Sequence, residues 1–271
     1  MTESVVQDRA AAVVLEGDPY AKCEAAAALY EDIRNDRIPL QHPQTPRRIE
    51  IPGRPDRPEL VSPRELPRRG LGSEPGRAAL LHALAHIEFN AINLAVDAVY
   101  RFPDIERDFY VDWARVGADE ARHFGMLRGL LNDRGYDYGD FPAHNGLWET
   151  AVKTDHDLLV RMALVPRVLE ARGIDVTPGL MKSLQGVGAD DAVAALDVIY
   201  HDEIEHVHIG NRWFHAACGW ANQEPRATFN SLIREYMSGR IKGSFDREGR
   251  LHAGFTEEEL DDLEALAAEG G

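Results

Sequence analysis

Apolar residues recur at intervals of three and four positions over most of the chain, and the alternation typical of β-strands is almost absent. This pattern predicts a mainly α-helical protein. Pro and Gly residues that stop helices divide the central part into four long helices. They are expected at about residues 77–102, 105–134, 147–172 and 189–217.

Shorter helices are expected on both sides of these four. Asp18 followed by Pro19 is typical of a helix start, because Asp caps free backbone N–H groups and Pro fits the first turn. Two later helices are predicted near residues 226–242 and 256–268. Thr256 and Glu259 have the spacing of a capping box at the start of the last one.

The segment between the N-terminal helices and the first long helix has a different character. Nine of the 15 prolines lie between Arg34 and Arg77, together with ten Arg against six acidic residues. Such a segment cannot be helical, so we predict an extended strap over residues 35–76 whose Arg residues pair with acidic helix surfaces. The alternative is a binding arm for an anionic substrate or nucleic acid.

With 271 residues, the chain is long enough for one large domain. We expect a single all-α domain with four successive parts. These are N-terminal helices (1–34), the strap (35–76), a four-helix bundle (77–217) and C-terminal helices (218–271).

Two of the long helices carry the same polar pattern inside an otherwise apolar stripe, once as DEARH and once as DEIEH. Residues three apart on a helix project to one side, so the Glu and His of each copy face the core together. The two copies consist of Asp119, Glu120 and His123, and of Asp202, Glu203 and His206.

The other two long helices each supply one carboxylate to an apolar face. Glu88 precedes Glu120 by 32 residues, and Glu170 precedes Glu203 by 33 residues. One Glu from each of two helices and one Glu-x-x-His from each of the other two is the ligand plan of di-iron and di-manganese carboxylate bundles. Four buried carboxylates are tolerable only with compensating positive charge, which two divalent cations supply. The predicted ligands are Glu88, Glu120, His123, Glu170, Glu203 and His206.

Several neighbouring residues have more than one interpretation. Asp119 and Asp202 are predicted to orient metal ligands, because a ligating His usually donates its other N–H to a carboxylate. Tyr200 lies one turn before Glu203, either as a hydrogen-bonding or redox-active group or as a packed core aromatic. Glu205 and His208 form a competing Glu-x-x-His frame on a more polar stripe.

Three further histidines are interpreted as structural. His82 and His86 are spaced for metal binding but share a mixed polar face, so we assign them to helix packing or to contacts around the ligands. His156 shares the stripe of Glu170, and we expect a hydrogen-bonded core histidine there.

Composition and charge argue against some classes of binding protein and indicate a cellular location. A formal charge of −16 disfavours a general binder of nucleic acid or anionic membranes. Cys23 and Cys218 have no metal-type spacing and indicate reduced thiols of a cytosolic protein. Neither a signal peptide nor an apolar run of membrane-spanning length is apparent, which favours a cytoplasmic location.

Four segments of the chain resemble a bacterial ferritin-like family of unknown function, from about Glu16 to Glu258. They are GRPDRPELVSPRELPRRGLGSEPGRAALLHALAHIEFNAI, DEARHF, VPRVLEARGID and HDEIEHVHIG. The chain is more distantly similar to the tRNA hydroxylase that modifies methylthio-isopentenyl-adenosine. The resemblance implies a ferritin-like four-helix bundle with a dinuclear site at the six residues named above, and it implies no particular reaction.

These features lead us to expect an oxygen-dependent oxidoreductase, a hydroxylase, monooxygenase or oxidase of a small organic substrate. Its cofactor would be two Fe ions, or Mn with Fe, with dioxygen as co-substrate. A reductase or ferredoxin would supply electrons, and the oligomeric state is left open, with a homodimer as one option. The alternatives are a ferroxidase or iron-handling protein, a tRNA-modifying hydroxylase docking through the strap, and a structural protein stapled by metal.

Overall fold

The structure is a computed structural model that describes residues 4–67, 69–237, 241 and 243–269. All regular secondary structure in these residues is helical, and the only β-type pairing is an isolated bridge between Leu60 and Ala143. The predicted all-α class is confirmed.

The helices, with a π-helical segment at Val165–Glu170 that joins α6 to α7, are numbered in chain order. They are α1 Val6–Leu15, α2 Pro19–Arg34, α3 Glu74–Arg101, α4 Arg107–Asn132, α5 Gly146–Lys153, α6 Leu158–Leu164, α7 Ala171–Gln185, α8 Asp190–Trp220, α9 Pro225–Tyr236, α10 Arg247–His252 and α11 Glu257–Glu269.

The predicted helix starts are confirmed where capping residues mark them. The Asp18 carboxylate accepts the N–H of Ala21 at the start of α2. At the start of α11, Glu259 accepts the N–H of Thr256 at 3.0 Å and Thr256 Oγ1 accepts the N–H of Glu259 at 3.2 Å. These reciprocal bonds satisfy donors that the helix itself cannot use.

The prediction of one helix over residues 147–172 was wrong. The Asp157 carboxylate accepts the N–H of Val160 and starts a new helix after α5 has ended. Gly173 does not end the helix either, because α7 continues to Gln185 with Pro178 inside it. A helical Gly costs only about 1 kcal/mol, and the burial of Ile174 and Leu184 outweighs this cost.

The end of the predicted 226–242 helix was also misplaced. Helix α9 ends at Tyr236, and residues 238–240 and 242 of the predicted range lie outside the described residues. The short helix α10 was not predicted. It begins where the Asp246 carboxylate accepts the N–H of Gly249.

The chain folds into two compact units. Unit 1 comprises Met1–Val152 with Ser183–Ala195, and unit 2 comprises Lys153–Lys182 with Leu196–Gly271. The single-domain organisation inferred from the sequence stays a prediction.

Unit 1 is built on the pair α3 and α4, with α1 packed against α3 and α2 packed against α4. Gly117 on α4 lies at a close contact of the two helices, since a Cβ atom there would be 2.9 Å from Val96 Cγ2. A larger residue at this position would push the two helices apart.

Helix α3 is, within the described chain, the one helix long and apolar enough to cross a membrane. The sequence analysis had found no such run. The protein itself buries 72% of the most apolar 18-residue window of α3. A buried core helix has this same composition, so the finding does not identify a membrane segment.

The Pro-rich segment forms no helix over the described part of residues 35–73 and packs within unit 1, whereas residues 74–76 of the predicted strap belong to α3. His42 Nε2 lies 2.8 Å from the Val99 carbonyl oxygen, the Arg47 N–H donates to Tyr100 Oη at 2.7 Å, and Trp148 Nε1 donates to the Glu50 carbonyl. Pairing with acidic helix surfaces is seen for Arg37, which contacts Glu31 and Asp32 of α2. By contrast, Arg54 donates to the main-chain carbonyls of Pro55 and Pro58.

Lys22 on α2 is a fully buried lysine whose ammonium group links α2 to α1 and to α3. Its Nζ donates to the carbonyls of Val13 and Val14 at the end of α1, at 3.1 and 2.9 Å, and to Asn93 Oδ1 of α3 at 2.5 Å. Burial lowers the pKa of Lys22 to about 7. The three acceptors offset part of the cost of removing the ammonium group from water.

We expect Lys22→Met to lower the free energy of unfolding by about 2 kcal/mol, because buried acceptors lose their donor. The folded pKa lies below the unfolded value of about 10.4, so the folded chain binds fewer protons between these values. The stability difference between wild type and variant should therefore grow from pH 7 to pH 9 in urea titrations. The exposed Lys182→Met is the matched control. Equal stability of Lys22→Met and wild type at both pH values would contradict this assignment.

Candidate metal centre

Helices α3 and α4 bring three predicted ligands together in unit 1. Glu88, Glu120 and His123 are 4%, 0% and 0% exposed. His123 Nδ1 lies 3.2 Å from Glu88 Oε2 and 3.4 Å from Glu120 Oε2. One ligand atom from each of the three lies within 4.8 Å of the others, so this α3–α4 ligand group could hold a metal ion.

The local sequence explains why these side chains point inward. Glu120 and His123 are three apart on α4 and share a face with the buried residues Trp113, Val116 and Leu127. Glu88 interrupts the corresponding apolar face of α3. The close approach of α3 and α4 beside Gly117 keeps the two ligand-bearing helices together.

The two buried carboxylates of this group need a compensating positive charge. Burial lowers the pKa of His123, but hydrogen bonds and charge from Glu120 and Glu88 more than offset this and raise the pKa to about 11. The imidazole therefore carries positive charge between two buried carboxylates. A divalent cation bound by these carboxylate and imidazole donors would replace the proton.

Unit 2 contains a second set with the same composition, and its members are also buried. Glu203 and His206 lie three apart on α8, with His206 Nδ1 3.8 Å from Glu203 Oε1. Glu170 ends the π-helical segment. Their exposed fractions are 9% for Glu203, 1% for His206 and 9% for Glu170. We call these three the α8 ligand group.

The π-helical segment around Glu170 was missed by the sequence analysis. π-Helical turns are rare and often occur at functional sites. A local signal was present in Pro166, which has no N–H to donate to a regular helical bond. The segment passes close to α8 at Gly210, where a Cβ atom would lie 2.2 Å from Pro166 Cβ.

Burial distinguishes the two frames on α8. Glu203 and His206 are buried, whereas Glu205 and His208 are exposed. Burial therefore favours Glu203 and His206 over the competing pair, in agreement with the predicted ligand set.

The predicted orienting residues occupy varied surroundings. Asp119 contacts Arg122 at 3.2 Å and Arg115 at 3.6 Å, and Asp202 is half-buried. Tyr200 donates to Asp246 Oδ2 at 2.7 Å, and its pKa is raised by burial and by this carboxylate. Their roles toward metal ligands stay predictions.

The surroundings of the other histidines show which of them are packing groups. His82 Nε2 accepts the N–H of Gly139 at 2.9 Å, and His86 Nδ1 lies 2.8 Å from Tyr138 Oη. Burial lowers the pKa of both histidines to about 4, so they are neutral packing groups. The expectation of a core position for His156 was wrong. It lies exposed in the break before α6, because the predicted single helix does not form there.

Fold and site together define an all-α protein with a buried carboxylate–histidine group suited to a metal ion. The chain belongs to the family described as "Protein of unknown function (DUF455)", which it matches over residues 15–261. It is similar to an uncharacterized protein of Haemophilus influenzae, with 42% identity over 254 residues that cover 90% of this chain and 88% of the relative. No solved structure matches the chain.

We expect His123→Ala and Glu120→Gln each to weaken Fe(II) binding by more than about tenfold, since even indirect partners of metal ligands contribute that much. Metal content after anaerobic Fe(II) loading and desalting measures the effect, with circular dichroism to confirm folding. Glu149→Gln on α5 is the matched control, because this glutamate is exposed. Undiminished iron in both ligand variants would refute the assignment.

Proposed function

We propose that this protein is a non-haem di-iron, oxygen-dependent oxidoreductase, a hydroxylase, monooxygenase or oxidase of a small organic substrate. The observation that carries the proposal is the pair of buried ligand groups with identical composition. Each contains one lone Glu and one Glu-x-x-His, which is the ligand plan of ferritin-like di-metal carboxylate bundles. From the ligand plan in the sequence, we further propose one dinuclear centre with all six residues as its ligands.

Charge and donor chemistry support this proposal. The six ligands would present four carboxylates and two imidazoles, and two divalent cations would neutralise the carboxylates. Hard oxygen donors with imidazole favour iron or manganese, so an Fe/Fe centre is proposed and an Mn/Fe centre fits the same donors. Bound iron would supply the electrons that activate dioxygen.

The contribution of the chain is to hold ligands and to exclude water. Glu88, Glu120 and His123 are held by the packing of α3 on α4, and Trp113 and Val116 on the same face of α4 as Glu120 are also buried. A dry site of this kind strengthens electrostatic interactions and protects reactive species from solvent. His123 presents Nδ1 to the two carboxylates, and we propose this ring atom as its metal ligand.

A cavity in unit 1 gives room for a small organic molecule. It has a volume of about 200 Å³ and lies against α3 at Ala83, His86 and Ile87, beside Phe141 and Leu147. Its mostly apolar lining favours an apolar substrate. We propose this cavity as the substrate pocket on account of its size and apolar lining.

The cellular setting follows from the sequence and remains part of the proposal. The charge of −16 disfavours nucleic-acid and anionic-membrane partners. We propose a cytoplasmic location and a reductase or ferredoxin as electron donor. That same acidic charge favours one alternative function, a ferroxidase or iron-handling protein, because it attracts cations.

Anaerobic loading with Fe(II) followed by oxygen separates the two functions. We expect about two irons per chain and oxygen uptake that stops once this iron is oxidised, because the ligand plan holds two metals. Continued oxidation of many added irons per chain would instead establish a ferroxidase. Oxygen electrode traces and iron analysis give the measurements. The double variant Glu88→Ala/Glu203→Ala should lose this oxygen uptake, and its full retention would overturn both functions.

A further inference from the structure

The cavity of unit 1 that is proposed as the substrate pocket has few polar groups, and they are of one kind. Its described lining is apolar except for Arg69, His86 and His144. No carboxylate is among these described residues, and Arg69 is the one side chain of the set with a permanent charge. The polar part of the lining therefore bears on the charge that a ligand can carry.

Arg69 is held beside the pocket by an aromatic ring. Its guanidinium carbon lies 4.8 Å from the centroid of the Phe141 ring, and Phe141 also lines the pocket. This contact uses one face of the planar guanidinium group, whereas the N–H groups project from its edge. Within the described part of the chain, no hydrogen bond or ion pair engages these N–H groups. Arg69 thus presents an oriented set of donors that a ligand can use.

His144 presents a second donor. Its Nδ1 accepts the N–H of Gly146 at 3.2 Å, so the ring proton lies on Nε2. No described residue accepts a hydrogen bond from this Nε2. By contrast, His86 already uses both nitrogens, since Nδ1 lies 2.8 Å from Tyr138 Oη and Nε2 lies 3.1 Å from the His144 carbonyl oxygen. The side-chain groups that the lining leaves for a ligand are therefore donors.

The rest of the lining suits a small apolar body. Ile87 of α3 is 45% exposed and lies along the cavity with Leu66, Phe141 and Leu147. Exposed apolar residues that are contiguous are typical of ligand-binding grooves. The volume of about 200 Å³ is below the range of about 300–1,000 Å³ that drug-sized ligands occupy, so the body is limited to one ring or a short chain.

We propose that this pocket binds a small apolar carboxylate, whose carboxylate accepts hydrogen bonds from Arg69 while its ring or short chain lies against Ile87, Phe141 and Leu147. The two oxygens of a carboxylate match the donor geometry of a guanidinium group. The free N–H of His144 adds to the preference for a ligand that accepts hydrogen bonds. That the bound acid is also the molecule oxidised rests on the proposed function, whereas the binding itself does not.

The test is isothermal titration of the full-length protein with benzoate, benzamide and benzamidine, which share one shape and carry a negative, no and a positive charge. We expect benzoate to bind with a stoichiometry of about one. Benzamide should bind at least about fivefold more weakly, because the charge-assisted bond to Arg69 is lost, and benzamidine more weakly still. Acetate should also bind more weakly than benzoate, because it has no ring to bury.

Variants place the ligand in this pocket. Arg69→Gln should lower benzoate affinity to that of benzamide and leave benzamide affinity unchanged. Arg64→Gln is the matched control, since Arg64 is exposed in the same Pro-rich segment and does not line the pocket. Ala83→Trp, at an exposed lining position of α3, should weaken both ligands at least about tenfold by filling the pocket. Ala27→Trp, at an exposed position of α2, is its control.

Four results would overturn the proposal. They are the absence of benzoate binding, equal affinity for benzoate and benzamide, a preference for benzoate that survives Arg69→Gln, and benzoate affinity that Ala83→Trp leaves intact. Carboxylates also bind metal centres, so the titration is repeated with Glu120→Gln. Benzoate affinity should be unchanged there, and its loss would place the ligand at the metal centre and would also overturn the proposal.

The two proposals fail separately. Charge-selective benzoate binding by a protein that takes up no oxygen after iron loading would retain this site and reject the oxidoreductase. Oxygen uptake by a protein that binds no benzoate would reject this site and retain the oxidoreductase.

Discussion

The burial of negative charge between α3 and α4 is the constraint on which the rest of unit 1 depends. Glu88 and Glu120 lie in an apolar interface with His123 between them, and carboxylates in such a place are stable only beside positive charge. The protonated imidazole supplies part of it in the polypeptide alone. The close packing of α3 on α4, with Gly117 against Val96, then keeps the three donors together. A cation is the natural partner of this arrangement.

Unit 2 also buries positive charge in its core. Arg167 is surrounded by aromatic rings and reaches Glu259 of α11. Glu259 also accepts the N–H of Thr256, so one carboxylate both starts the last helix and neutralises an arginine in the π-helical segment. Because Glu170 ends that segment, the C-terminal helix helps to support the chain that carries a proposed metal ligand.

Much of the fold was predictable wherever local chemistry sets a helix end. Asp18 and the pair of Thr256 and Glu259 are examples, because capping bonds form between residues three apart. The region after α5 was mispredicted for a related reason. The Asp157 carboxylate starts a helix that apolar periodicity did not reveal, and Gly173 stays helical because neighbouring residues are buried. Propensity is a weak guide when burial opposes it.

The sequence by itself determined the helical class and the types and spacings of the proposed ligands. A Glu-x-x-His places both groups on one helix face without help from the rest of the chain. Tertiary structure decided which faces are buried. It buries Glu203 and His206 while leaving Glu205 and His208 exposed, and it leaves His156 at the surface. It also brought Arg167 and Arg250 to one cavity, which no local pattern indicates. These two arginines are 83 positions apart along the chain, and they line one cavity only because the folded chain brings them together.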